Sequence, residues 1–339
     1  MTSDAAHLLT DLLQQVSRSF YTTLRILPAP VRRQIGLAYL LARATDTIAD
    51  TGIVSVSQRL DALQLLRGHI LGERRGPVDF GELARHQGSP GERALLQRVT
   101  EAIDLLDGFS EADRQLIREV LRTITSGQEL DLQRFAQASP ENILILGTDP
   151  DLDDYTYRVA GCVGEFWTRI CRAHLFPHAA VDDATLLANG IRFGKGLQLV
   201  NILRDLPSDL RQGRCYMPAD RLNAIGLKPT DLLNPANEGR FRPLYNSYLD
   251  VAQAHLAAGW EYTLALPRSC IRLRLACAWP VLIGVRTLAL LHERNVLDPA
   301  HRIKVSRAEV QGMIVRSVLC YPFAGMWGNL FARTGSRRT

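Results

Sequence analysis

Apolar residues recur at spacings of three and four along most of this 339-residue chain. Leu8, Leu9, Leu12, Leu13 and Val16 form one such set, and Leu60, Leu63, Leu66 and Ile70 another. Leu95, Val99, Ile103 and Leu106 repeat it, as do Leu116, Val120 and Ile124. That period places each set on one face of an α-helix. Alternating apolar and polar runs around an Asn-Gly or Asp-Gly turn, the mark of a hairpin, are missing. The glycine-rich phosphate loops of dinucleotide-binding and P-loop folds are missing too. Breaks are expected at Pro28-Ala29-Pro30, from Gly72 to Pro90, at Ser139-Pro140, from Gly147 to Pro150, at Pro177 and from Pro229 to Pro243. No linker is long enough to divide the chain. The expectation is one all-α domain over residues 1–339 with ten or more helices.

Composition narrows the function. The net charge is only +5. With no dense basic block, nucleic-acid binding is not expected, whereas an acidic small ligand or a membrane surface fits. The six cysteines form no CxxC pair and no short secreted framework, so they are expected to be reduced and mostly buried. The first residues carry no signal-peptide pattern. The apolar run Leu275 to Val285 is too short to span a bilayer. The expected location is cytoplasmic, with at most a peripheral contact at the inner face of the membrane. The oligomeric state is left open.

Two acidic pairs carry the chemistry. Asp46 and Asp50 stand four apart in ATDTIAD, amid Leu40, Leu41, Ala42 and Ile48. Asp205 and Asp209 repeat the spacing in NILRDLPSD, after the apolar run Leu197 to Val200. On a helix that spacing sets both carboxylates on one face, a turn apart. Like charges on a mostly buried helix repel and are costly to desolvate. A hard divalent cation is a natural partner, because Mg²⁺ takes one or two carboxylates plus waters and substrate phosphates. Two pairs facing one another across a bundle would hold Mg²⁺ against a diphosphate and make it a leaving group. Arg43 lies beside the first pair, and Arg204, Arg211 and Arg214 around the second, and Arg suits bidentate phosphate contact. A single DxxxD is more often a solvated helix face; the repeat, each time with arginine and apolar helix, brings the metal reading level with that one. Pro207, between Asp205 and Asp209, is expected to kink the helix and displace Asp209.

Five segments in order resemble the squalene and phytoene synthases, the head-to-head branch of the trans-isoprenyl diphosphate synthases. They are Ser17-Arg18-Ser19-Phe20, YLLARATDTIAD from Tyr39 to Asp50, YTYRVAGCVG from Tyr155 to Gly164, QLVNILRDLPSD from Gln198 to Asp209, and Gly213-Arg214 followed by Tyr216-Met217-Pro218. The resemblance implies an all-α isoprenoid-synthase bundle around a central cavity. It implies Mg²⁺ on Asp46, Asp50, Asp205 and Asp209, and a catalytic tyrosine at Tyr155. Arg18, Ser19, Phe20, Tyr39, Arg43, Gln198, Asn201 and Arg204 match substrate-binding positions. Arg214 and Lys304 match basic positions that contact phosphate, including that of NADPH.

The bland reading of each stands beside it: core packing for Phe20 and Tyr155, satisfied buried amides for Gln198 and Asn201, a surface cation for Lys304. The resemblance implies that two farnesyl diphosphates join through a cyclopropylcarbinyl diphosphate, which NADPH then reduces to squalene. Thr47 after the first aspartate, and Lys304-Val305-Ser306-Arg307, favour the squalene type, and no C-terminal membrane helix is expected. Phytoene or dehydrosqualene synthesis, an enzyme that stops at the cyclopropyl intermediate, and a non-catalytic helical partner are the alternatives. Leu206, Pro207 and Arg158 depart from the family's usual residues.

Overall fold

Burial follows the apolar spacing. The computed structural model describes residues 11–16, 21–298, 300 and 303–335. Among them, ten helices have eight or more residues: α1 (Ala29–Asp50), α2 (Val56–Leu71), α3 (Pro90–Gln97), α4 (Glu111–Arg134), α5 (Asp149–Thr156), α6 (Cys162–Leu175), α7 (Asp183–Arg211), α8 (Glu238–Ala265), α9 (Ile271–Glu293) and α10 (Arg307–Cys320). The fold is all-α. The extended structure is one parallel pair, β1 (Leu144–Ile145) beside β2 (Arg214–Cys215), plus an isolated bridge between Ser139 and Asn142. Two residues per strand are too few to leave a period-two signal in sequence. Ser17, Arg18, Ser19 and Phe20 lie outside the described residues.

The described chain divides into two units. The first comprises residues up to Ala136 together with Phe166–His178. In it α1 packs on α2, α3 and α4. Leu37, Leu40, Leu41, Ala44 and Ile48 of α1 are fully buried, as are Leu63, Leu66 and Ile70 of α2. Ser55 starts α2 with a reciprocal cap on Gln58, which satisfies two otherwise orphaned donors. A buried charge also sits here: Asp113 accepts from Gln34 Nε2 at 3.1 Å and pairs with His174 Nε2 at 2.7 Å.

The second unit comprises Gln137–Glu165 and the residues from Ala179 onward. Its centre is α7 packed along α8, with α9 beside both. Helix α9 is long and apolar enough to cross a membrane (mean hydropathy 1.6), but 78% of that stretch is buried inside the protein. It is longer than the Leu275–Val285 run suggested, because Arg272 and Arg274 sit within its first turns without ending it. Pro243 lies inside α8, so the Pro229–Pro243 joint closes earlier than expected, at Asn237. The cysteines are free, five of them buried and Cys270 partly so.

Candidate functional site

The first acidic pair lies on a polar stripe of an otherwise buried helix. Tyr39, Arg43, Asp46 and Asp50 follow one another at spacings of four, three and four along α1, so they share a face. Tyr39 and Asp46 are half-buried and Asp50 is exposed. Just past Asp50 the helix end is pinned. Arg59 Nη1 donates to the Ala49 carbonyl at 3.0 Å, a cation placed where the helix C-terminus favours one. Gln87 Nε2 donates to Thr51 Oγ1 at 3.3 Å.

Two residues that sequence reading missed hold this stripe. Gln128 of α4 donates through Nε2 to Asp46 Oδ1 at 2.5 Å, while its own Oε1 is buried without a partner. Glu92 of α3 accepts from Arg43 Nη2. Arg43 thus sits between Glu92 and Asp46, its Nη1 3.8 Å from Asp46 Oδ2 and its Nε buried without a partner. Both partners lie tens of residues away in sequence, and only Glu92 left a trace, three residues after Ser89 in a helix-start pattern.

The electrostatics are those of a strained pair. Surrounding protein, and then the negative charge of Asp50, push the Asp46 carboxyl up to about 6, with Arg43 and Gln128 pulling the other way. Its side chain still keeps 47% of its surface open. A folded-state pKa above the unfolded one means that ionising Asp46 costs stability, a cost that builds as pH rises from 3.8 to about 6 and is level above that. In chelator, Asp46→Asn is therefore expected to melt above the wild type at pH 8, the gap fading as pH falls below 6. A variant melting below the wild type at pH 8 would show a stabilising carboxylate instead.

The second pair lies on α7. Gln198, Asn201, Asp205 and Asp209 recur at spacings of three and four. Asn201 is exposed and Gln198 half-buried, so neither is a buried satisfied amide. Arg204 grips its neighbour Asp205 with both Nε, at 2.9 Å, and Nη2. These bonds, and the charge of Asp209 beyond, push the Arg204 pKa up.

Pro207 does not break the helix, which runs on to Arg211. A proline removes the N–H that would bond the carbonyl four residues back, here Leu203. The hydroxyl of the buried Tyr245, on α8, donates to that carbonyl at 3.0 Å. Proline and tyrosine together let Asp209 stay in helical register with Asp205. Tyr245→Phe is expected to destabilise the protein by about 1–3 kcal/mol, because it leaves a buried acceptor bare. Urea unfolding measures this; an unchanged midpoint would mean another donor serves Leu203.

Tyr155, on α5, is buried and stacks on Tyr216 with ring centroids 4.8 Å apart. The segment carrying Tyr216 is fixed by β2 and by Gly213, whose φ is +80° and where a Cβ would lie 2.4 Å from Ser139 backbone atoms. Directly after α5, Tyr157–Gly161 form a π-turn. There α6 begins its close approach to α7: a Cβ on Gly164 would lie 1.9 Å from the Gly190 oxygen. Arg158, the unusual residue of this segment, pairs with Asp154 at 2.8 Å on the same side of the turn.

The nucleotide positions are less organised. Arg214 is half-buried on β2 and has partners, whereas Lys304 is exposed, where a surface cation would stand. Ser306, two residues on, caps α10 reciprocally with Glu309. A cavity of about 460 Å³ lies in the second unit, lined by Asp149, Asp153, Leu199, Arg221, Tyr248 and His255 among others. None of the candidate catalytic, metal, substrate or nucleotide residues lines it, although Thr156 and Leu199 of the quoted segments do.

The donors fit a hard cation. Each pair offers only carboxylate oxygens, and the burial and the Asp50 repulsion that raise Asp46 are both offset by a divalent ion's charge. Among the described residues no group of three or more His, Cys, Asp or Glu side chains is arranged to hold an ion by itself.

The sequence profile of the squalene/phytoene synthase family matches residues 13–309. A presqualene diphosphate synthase of Rhodopseudomonas palustris is 28% identical over 295 residues, covering 86% of this chain and 89% of its own. A phytoene synthase of Arthrospira platensis is 27% identical over 334 residues, covering 95% and 93%. The solved structure of the squalene synthase HpnC from Alicyclobacillus acidocaldarius superposes with a TM-score of 0.61 at 19% identity, covering 86% of this chain and 94% of that one. It bears on the fold alone, and that fold is the all-α one found here.

Proposed function

The chain belongs to the squalene/phytoene synthase family, and on that premise we propose that it joins two farnesyl diphosphates head to head and reduces the intermediate to squalene. The observation that carries this reading is the pair of carboxylate stripes, Asp46/Asp50 on α1 and Asp205/Asp209 on α7, each backed by an arginine. In this reading residues 1–339 act as one catalytic domain and the four aspartates hold Mg²⁺. Bound Mg²⁺ supplies charge neutralisation that turns diphosphate into a leaving group.

The remaining roles fall to side chains. Arg43 and Arg204 offer guanidiniums to diphosphate oxygens, exchanging or sharing their present carboxylate partners. Tyr39, Gln198 and Asn201 line the substrate with groups that tolerate both water and prenyl chain, and Arg18, Ser19 and Phe20 are assigned to the same task by the family motif. When one diphosphate leaves, the allylic C1 cation attacks the double bond of the second molecule. A proton is lost and the cyclopropylcarbinyl diphosphate forms. Tyr155, which stacks on Tyr216, is assigned by the family motif to steady the cation with its ring and to help remove that proton. In the second half-reaction the remaining diphosphate leaves, the ring rearranges, and hydride from NADPH gives squalene and NADP⁺. Arg214 and Lys304 are assigned to the phosphate of NADPH.

A second reading has its own support: the presqualene diphosphate synthase relative covers most of both chains. One incubation separates the two. With farnesyl diphosphate and Mg²⁺, the expected products are the cyclopropyl diphosphate without NADPH and squalene with it. The cyclopropyl diphosphate under both conditions supports the second reading. A desaturated C30 hydrocarbon regardless of NADPH refutes the reductive step, and a C40 product from geranylgeranyl diphosphate in a parallel incubation, with none from farnesyl diphosphate, refutes the substrate.

A further inference from the structure

Helix α10 is two-faced. Met313, Ser317 and Cys320 point inward, and Ser317 Oγ accepts from Trp279 Nε1 of α9 at 3.0 Å. The opposite face carries Val315, Val318 and Leu319, all exposed, Leu319 at 68%. The stripe continues past the helix end through Phe323, 59% exposed, and Met326. The turn between α8 and α9 adjoins it. Tyr321 Oη donates to the Arg268 carbonyl at 2.7 Å, and Arg268 Nη2 to the Pro322 carbonyl at 3.3 Å. That turn adds Leu264 and Ile271, also exposed. Single exposed apolar residues are ordinary, but seven large ones on two adjoining segments are not.

The charge within this face is positive, with the nearest acids in sequence at its edges: Glu261, one turn before Leu264, and Glu309, which pairs with Arg286. From Val310 to the last residue, Thr339, there is no Asp or Glu, and four arginines. From Tyr262 to His292 there is again no acid, and four arginines. Arg268, Arg272 and Arg316 are exposed at the patch. Arg274 is buried instead, its guanidinium 4.5 Å from the centre of the Trp327 ring, which braces the platform from below. A protein partner of ordinary surface would match the apolar stripe but not this excess of exposed arginine. Large aliphatic and aromatic side chains ringed by arginine match the boundary between anionic headgroups and acyl chains.

We infer that the outer face of α10, with Phe323, Met326 and the α8–α9 turn, docks the protein on an anionic lipid surface. The docking leaves α9 in the core and is peripheral. It also suits the proposed reaction, whose hydrocarbon product needs an apolar sink, but the test uses no substrate and stands apart from that reading.

The full-length protein is sedimented with vesicles of phosphatidylcholine, alone or mixed with phosphatidylglycerol, at low and high salt. The wild type is expected to partition onto the mixed vesicles, less so at high salt, and little onto the neutral ones. Leu319→Asp with Phe323→Asp is expected to weaken partition roughly tenfold or more, the loss of two buried apolar side chains. Arg272→Glu with Arg316→Glu is expected to weaken it roughly tenfold as well, through charge alone. This second pair alters only exposed side chains and keeps the test open if the first unfolds, which circular dichroism shows. Equal partition onto both vesicle types, or no effect from the charge pair, overturns the inference. So does a dimer in light scattering that Arg272→Glu with Arg316→Glu dissociates while vesicle binding is unchanged.

Discussion

Asp205→Asn is expected to lower turnover by about a thousandfold or more while the protein folds normally. Metal stabilisation of a departing diphosphate is worth several kcal/mol, and each loss of about 1.4 kcal/mol is tenfold in rate. The amide keeps the size of the carboxylate and loses its charge. Arg204, now bound to Asp205 through two nitrogens, would lose its counter-charge yet remain half-open to solvent, so the cost in stability is small. Asp46→Asn should cost as much activity and, by the pH argument above, gain stability without metal. The double variant should be little worse than either alone, since groups that act as a unit are not additive. Pyrophosphate release measured across Mg²⁺ concentrations checks this. Near-normal release by either single variant would remove its aspartate from the site.

Gly164→Ala is expected to be the most damaging substitution for the fold, at about 3 kcal/mol or more. The clashing atoms are the oxygen and carbonyl carbon of Gly190, at 1.9 and 2.6 Å from the added Cβ. Backbone cannot swing aside as a side chain can, so the first turn of α6 must move off the Gly190 turn of α7 and the packing at this crossing loosens. The same crossing brings Gly194 to 2.2 Å of the Ala160 oxygen on the same criterion, so there is no slack one turn away. Activity should fall as well, because Tyr155 and the second acidic pair sit on the elements this crossing holds. Gly239→Ala is the control. It lies at the exposed start of α8 with nothing within 4 Å of the added carbon, and should leave stability unchanged or slightly higher. Urea unfolding of both variants decides; equal midpoints would mean the close crossing carries no strain on substitution.

Much of this was legible from sequence because helices carry their period in the chain. Leu63, Leu66 and Ile70 were placed on a buried face and are buried. The acidic stripes follow from spacing alone. What sequence could not show is tertiary. The rule for proline predicts a disturbed helix at Pro207, yet the helix runs on to Arg211, and a tyrosine from another helix supplies the donor that the Leu203 carbonyl loses. Gln128 and Glu92 reach Asp46 and Arg43 from distant helices, and no local pattern marks them. The π-turn at Tyr157–Gly161 looks like ordinary helix by periodicity. Its only trace is the glycine pair at 161 and 164, which reads equally well as a loop.

The central claim is a bond between the two C1 carbons of farnesyl diphosphate. The most direct measurement uses substrate labelled with ¹³C at C1, with Mg²⁺ and NADPH, and carbon NMR of the extracted hydrocarbon. The account predicts squalene whose two labelled carbons are bonded to each other. Label found only in farnesol, or in a product whose labelled carbons are not adjacent, would contradict it.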